Sequence, residues 1–271
     1  MNAYIILFYY YIFSYIHISF CENNIELDFK AYVMNMNIAI EHWKHTQKEL
    51  LRINKNIKII RIVPFNKTDK IVTDFCQFNK FPQYKSLDWV ASNLLTNFKI
   101  WDIIANDKEI TNNQWNFIFE DDFTLHPDIN PKNVTKIIHK LFEVANENGF
   151  AYLGLCGPKC HSNNSFTDNG VVYAKCNGRC IHAYALQKKR AKSLKEYLRE
   201  KWIQHGKKYY PESGGHYFFT DVQFDVAFNT NKVYLAGLNF VSPQSNDHRG
   251  IFYQDRKNLP IHRSSFYHLF F

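Results

Sequence analysis

The order of periodicities along the chain constrains its fold more than any single motif. Short apolar runs alternate with stretches whose apolar residues recur every three or four positions. The spacing predicts strands at 30–35 (KAYVMN), 57–63, 115–119 (WNFIF) and 150–155. It predicts helices at 38–51, 87–106, 133–148 and a basic helix at 187–204. The 87–106 segment is the clearest, with Leu87, Val90, Leu94, Phe98, Trp101 and Ile104 on one face. Gly149 is the expected stop of the helix before it. The polar stretch 66–85 has no clear period and reads as a loop. The segment from Leu238 onward has little periodicity and reads as a tail wrapping the domain. Strands alternating with helices predict an α/β fold, a mainly parallel sheet flanked by helices. With 271 residues and no repeat or linker, one domain over 22–271 is the simplest organisation.

Residues 1–21 contain no charged side chain, and polarity begins at Glu22. This reads as a secretory signal peptide, with Ser19 and Cys21 as the small residues before the cut. An uncleaved signal anchor is the other reading, and only it would hold the protein at a membrane. No later stretch reaches 18 uncharged apolar residues, which excludes a multi-pass membrane protein. The leader places the chain in the secretory lumen or outside the cell. Four cysteines beyond it, Cys156, Cys160, Cys176 and Cys180, form two C-x3-C pairs. In an oxidising lumen they read as two disulfides pinning the loop between two strands, and a structural zinc site is the rival reading. Cys76 is left over, a buried thiol or one paired elsewhere. Three glycosylation sequons occur, at Asn66, Asn133 and Asn163, close to the number chance gives in so Asn-rich a chain.

The net charge of +8 favours anionic partners, yet no dense Lys/Arg block is present. That argues against nucleic acid and for an anionic small substrate. Glu120-Asp121-Asp122 follows the WNFIF strand at once. Ligands of open α/β sheets bind beyond the carboxyl ends of strands. Alternation along an extended chain puts Glu120 and Asp122 on one side, an arrangement suited to Mg²⁺ or Mn²⁺. A solvated turn is the plain alternative. Adjacent carboxylates do not supply the separation across a cleft that a glycoside hydrolase uses.

Four stretches together resemble the glycosyltransferase family 25 enzymes, which include collagen and lipooligosaccharide galactosyltransferases. Tyr32-Val33-Met34-Asn35-Met36-Asn37 is similar to the family's V-I-N-L-D opening strand. Thr96-Asn97-Phe98-Lys99-Ile100-Trp101 resembles its S-H-x-x-x-W helix, with Thr-Asn for Ser-His. Phe117-Ile118-Phe119-Glu120-Asp121-Asp122 matches the strand ending in E-D-D, and 182–194 matches the h-A-Y segment. The resemblance spans roughly residues 30 to 230.

It implies a GT-A fold, a UDP-sugar donor, a hydroxyl acceptor on a protein or glycan, and an inverting, metal-assisted transfer. Metal contacts fall to Glu120 and Asp122, with His248 as a third ligand. Donor contacts fall to Asn35, Glu120, Asp121, Gly214, Gly215 and Arg249. Asp221, just after the Gly214-Gly215 pair, is the expected base for the acceptor hydroxyl. The departures Thr96-Asn97 and Asn37, the last standing where the family has Asp, motivate a second reading. In it the protein is secreted, keeps the fold and binds a sugar or partner without turnover.

Overall fold

A computed structural model of the protein describes residues 30–79, 88–200, 233–237 and 248–254, with backbone alone at 156–159, 161–164, 177–181, 248–249 and 254. The leader 1–21 and the segment carrying Gly214, Gly215 and Asp221 lie outside the described residues.

The elements in chain order are β1 (Lys30–Met34), α1 (Ile40–Ile53), β2 (Lys58–Ile62), α2 (Lys70–Phe78), α3 (Asp88–Asn106), β3 (Trp115–Glu120), β4 (Phe123–Leu125) and α4 (Pro131–Ala145). A long hairpin follows, β5 (Phe150–Asp168) and β6 (Val171–Gln187), then α5 (Lys188–Leu198), β7 (Tyr234–Gly237), β8 (His248–Gly250) and β9 (Phe252–Gln254). The main sheet has seven strands in the order β2-β1-β3-β6-β7-β5-β8, and β4 pairs with β9 in a small second sheet. Parallel pairing of β1 with β2 and β3, and of β5 with β7, leaves only β6 and β8 running against the other five. The protein is thus mixed α/β with a mostly parallel central sheet flanked by helices, a plan compatible with a Rossmann-like fold.

Every residue of β1 is buried, as a central strand covered on both faces must be. One face packs Tyr32, Met34 and Ile118 against α2, α3 and α5. The other packs Ala31, Val33, Phe117 and Phe119 against α1 and α4. Burial of this apolar surface supplies most of the driving force for folding, at about 25 cal/mol per Å². α4 starts where its sequence dictates: Asn130 accepts from the Lys132 amide at 3.0 Å, and Pro131 opens the first turn. Past its end, Gly149 adopts φ +61°, and a Cβ there would lie 2.8 Å from Gln187 Oε1.

Two expectations need correcting. Residues 70–78 are helical, not loop: Val72 and Phe75 face the core, and Ile71 and Phe78 are exposed. The apolar residues are packed into nine positions, too few for the period to stand out. The C-x3-C pairs lie on strands rather than on a loop between them. Cys160 and Cys176 face each other across β5 and β6 and form a disulfide, with Cα atoms 4.0 Å apart. The side chains of Cys156 and Cys180 lie outside the described part. Cys76 is an unpaired, half-buried thiol, pushed up to about 11 first by burial and then by the nearby Asp88 carboxylate. The tail from 238 contributes two strands, β8 and β9, within its described residues. Among the described residues no helix is long and apolar enough to cross a membrane. The disulfide fits an oxidising compartment.

Candidate functional site

β1 leads through α1 to β2 on one side of it, while β3 lies on its other side. The connection α1 covers one sheet face, and α2 and α3, which lead from β2 to β3, cover the opposite face. The strand order therefore reverses between β1 and β3. In open α/β sheets the crevice beyond the carboxyl ends of such strands is where ligands bind. Asn35 follows β1 there, and Glu120-Asp121-Asp122 ends β3 there.

The two segments, 86 residues apart, are joined by a side-chain bond. Asn35 Nδ2 donates to Asp121 Oδ2 at 2.5 Å and to the Ala39 carbonyl at 3.0 Å. Both partners are acceptors, so the amide orientation is fixed by its contacts. Asn35 itself is held by its backbone amide, which donates to Ile62 O at 3.0 Å and carries the β1–β2 ladder past Met34. His42 Nδ1 of α1 lies 3.4 Å from Asp121 Oδ1, and Thr46 Oγ1 donates to the Asp121 carbonyl at 3.2 Å. Further along α1, His45 Nε2 contacts Phe123 O and Thr124 Oγ1. Glu49 Oε2 accepts from the Leu125 amide at 3.0 Å. One stripe of α1, at positions 42, 45, 46 and 49, thus grips the β3–β4 turn with polar groups.

Glu120 leaves the strand on the opposite sheet face, beside α3. It is 8% exposed, and Asn93 Nδ2 approaches its Oε1 at 3.5 Å. Behind it runs a buried chain of hydrogen bonds. Asn97 Nδ2 donates to Asn93 Oδ1 at 3.1 Å, Tyr184 OH donates to Asn97 Oδ1 at 2.7 Å, and Trp101 Nε1 donates to Tyr184 OH at 2.9 Å. Burial drives the Tyr184 hydroxyl far above the usual tyrosine range; the Trp101 hydrogen bond opposes the shift and the Glu120 charge adds to it.

The structure therefore brings Asn35, Glu120, Asp121 and Asp122 to one end of the sheet. Glu120 and Asp121 point to opposite faces. β8 places the His248 and Arg249 backbones beside Cys156 and Leu155 of β5, with their side chains outside the described part. Gly214, Gly215 and Asp221 lie outside the described residues altogether. Sequence reasoning missed His42, Thr46, Glu49, Asn93 and Tyr184. The helical spacing of the α1 residues was a usable signal; the others are polar residues that only the tertiary fold brings near the triplet.

Among the described residues no group of three or more His, Cys, Asp and Glu side chains converges as a metal centre would require. The charged groups of the triplet at the crevice are carboxylates, whose oxygens are the kind of ligand a hard divalent ion prefers. Mg²⁺ often takes only one or two protein carboxylates, with phosphate and water completing its shell. Asp121 is engaged by Asn35 and His42, and Glu120 is approached by Asn93.

Fold and site together define a mixed α/β protein, its plan compatible with a Rossmann-like fold, with carboxylates where the strand order reverses. No protein-family model and no curated protein sequence matches the chain.

Proposed function

We propose that the chain is a secretory-pathway glycosyltransferase of GT-A fold that moves a hexose from a UDP-sugar to a hydroxyl of a protein or glycan, with inversion. One observation carries the reading: Asn35 and the acidic triplet, distant in sequence, meet at the carboxyl ends of β1 and β3 where the strand order reverses. The resemblance of these same segments to family 25 names the chemistry.

In this reading Glu120 and Asp122 hold Mn²⁺ or Mg²⁺. When bound, the ion neutralises charge on the departing nucleoside diphosphate. Asp121, fixed by Asn35, His42 and Thr46, sets the turn that presents Asp122. Asp221 takes the proton of the acceptor hydroxyl as the new bond forms. Gly214 and Gly215 let the backbone approach the donor, Arg249 meets a phosphate, and His248 completes the metal shell.

Calorimetric titration of UDP tests this. Metal-dependent binding that EDTA abolishes and that Asp122→Ala loses supports the proposal. Equal UDP affinity in wild type and Asp122→Ala overturns it.

A second reading, a sugar- or partner-binding protein without turnover, has its own observation. Thr96 and Asn97, which stand where the family has Ser-His, are both buried and spent on internal bonds. Thr96 Oγ1 accepts from the Phe65 amide and donates to Ser92 O, and Asn97 is held in the Tyr184 chain. Metal-dependent UDP binding with no transfer to any acceptor in a panel would favour this reading.

A further inference from the structure

Three sequons occur in the chain, and the structure separates two of them. Asn66-Lys67-Thr68 lies between β2 and α2, and all three residues are exposed. The Asn66 side chain closes a local turn. Its Oδ1 accepts from the Thr68 amide at 3.1 Å and from Thr68 Oγ1 at 3.0 Å. Asn66's own amide donates to Asp69 Oδ2 at 2.8 Å, and its carbonyl accepts from the Asp69 amide at 2.9 Å. The carbonyl side of the carboxamide is thus occupied, and among the described residues nothing accepts from Nδ2. Asn66 is exposed as a residue, and the threonine hydroxyl donates to the oxygen end of its carboxamide.

Asn133-Val134-Thr135 is built differently. Its residues sit in the first two turns of α4, with Val134 fully buried. Side chains at i and i+2 do not face each other on a helix, so the Thr135 hydroxyl is turned away from the Asn133 amide. The Asn163 side chain lies outside the described part.

We propose that Asn66 is a site of N-linked glycosylation and that Asn133 is not. The reaction is transfer of an oligosaccharide from a polyprenyl-diphosphate donor by a membrane-bound transferase of the secretory lumen. Asn66 Nδ2 bonds to C1 of the first sugar as the C1–O bond to the diphosphate breaks. The lipid diphosphate leaves with that electron pair, and Nδ2 gives up one proton. Because the turn is closed by bonds within four residues, the bonds that close it require no distant part of the fold. The inference rests on the secretory reading of residues 1–21.

The test expresses the full chain in a eukaryotic secretory host in two forms, one with its own N-terminus and one with a cleavable leader of proven function fused before Met1. Glycopeptides are mapped by mass spectrometry, and total glycan is read by mobility shift after N-glycosidase treatment. Asn66 occupied and Asn133 unmodified is the expected result. Asn66→Gln and Thr68→Ala each abolish the Asn66 glycan, and Thr68→Ser retains it. Modification only in the leader-fused form shows that the Asn66 turn is a competent acceptor but refutes the secretory reading of residues 1–21, and the inference falls with it. An unmodified Asn66 in the leader-fused form, or a glycan on Asn133 in either form, overturns the inference.

Discussion

Replacing Tyr184 by phenylalanine removes one oxygen from the middle of the chain that backs Glu120. The hydroxyl accepts from Trp101 Nε1 at 2.9 Å and donates to Asn97 Oδ1 at 2.7 Å, and all three residues are at most 2% exposed. The variant therefore leaves two buried polar atoms without this partner, an indole N–H and an amide carbonyl. Each such orphan costs about 1–3 kcal/mol. Some of that is recovered because the buried hydroxyl no longer has to be desolvated. The expected net loss is about 2–4 kcal/mol, which for a chain of this size lowers the Tm by roughly 5–12 °C. Urea and thermal unfolding of wild type and Tyr184→Phe measure it directly. Because burial, and then the Glu120 charge, hold the tyrosine protonated far above neutrality, the difference between the two proteins is flat from about pH 6 to pH 9. A double-mutant cycle with Trp101→Phe separates the hydrogen bond from lost ring packing, with a coupling of about 0.5–3 kcal/mol expected for neighbours of this kind. A Tyr184→Phe protein within about 0.5 kcal/mol of wild type would refute the reasoning, since orphaning two buried groups cannot be that cheap.

Reduction of the Cys160–Cys176 bond, or Cys160→Ser with Cys176→Ser, opens a crosslink between residues 16 apart and is expected to cost about 3 kcal/mol, read as a lower Tm with and without reductant. Glu49→Leu removes the acceptor of the buried Leu125 amide and a partner of Arg52, and a loss of about 1–3 kcal/mol is expected from urea unfolding. Lys30 tests the opposite end of the sheet: burial alone would lower its ammonium, but hydrogen bonds to Asp107 and Glu109 outweigh this and raise it. The Lys30 hydrogen bond in turn holds the Asp107 carboxyl below its usual range. The Asp107 contribution is therefore present above about pH 4 and lost as pH falls through its depressed value, while that of Lys30 is present below about pH 10 and lost above its raised value. Lys30→Met is expected to destabilise at neutral pH and to flatten the part of the acid limb that Asp107 supplies, measured as unfolding free energy from pH 2 to pH 7.

The parts of the fold that were legible in the sequence are those whose burial is simple. β1 and β3 are central and read as continuous apolar runs, and α3 carries a long stripe at helical spacing. The reach of the hairpin was not legible. β5 shifts register against β6 four times, between Tyr152/Gly154, Gly154/Cys156, Cys156/Lys159 and Cys160/Ser165, so inward and outward residues do not alternate. Its outer part, rich in Asn and Ser, has the composition of a loop. At the candidate site, the triplet's place after a strand was readable because Phe117, Ile118 and Phe119 precede it. Its surroundings were only partly readable: the resemblance named Asn35 and the α1 residues share a helical spacing, but Asn93 and Tyr184 reach the triplet only through the topology, and polar residues brought together by tertiary structure leave no period behind.

β6 belongs to two rows of the sheet at once. Its residues 183–187 pair with β3, while 172–175 pair with β7, which also lies along β5. The chain therefore delivers the strand that fills this gap late: a ribosome that has made the first 200 residues has built the hairpin but not β7 or β8. Until about fifty more residues emerge, the β5 edge at 151–156 and the β6 edge at 172–175 stand open, the kind of edge that pairs with the wrong strand or with another chain. C-terminal truncation before residue 233 would make that passing hazard permanent, so the last strands act less as a tail than as the closing stitch of the sheet.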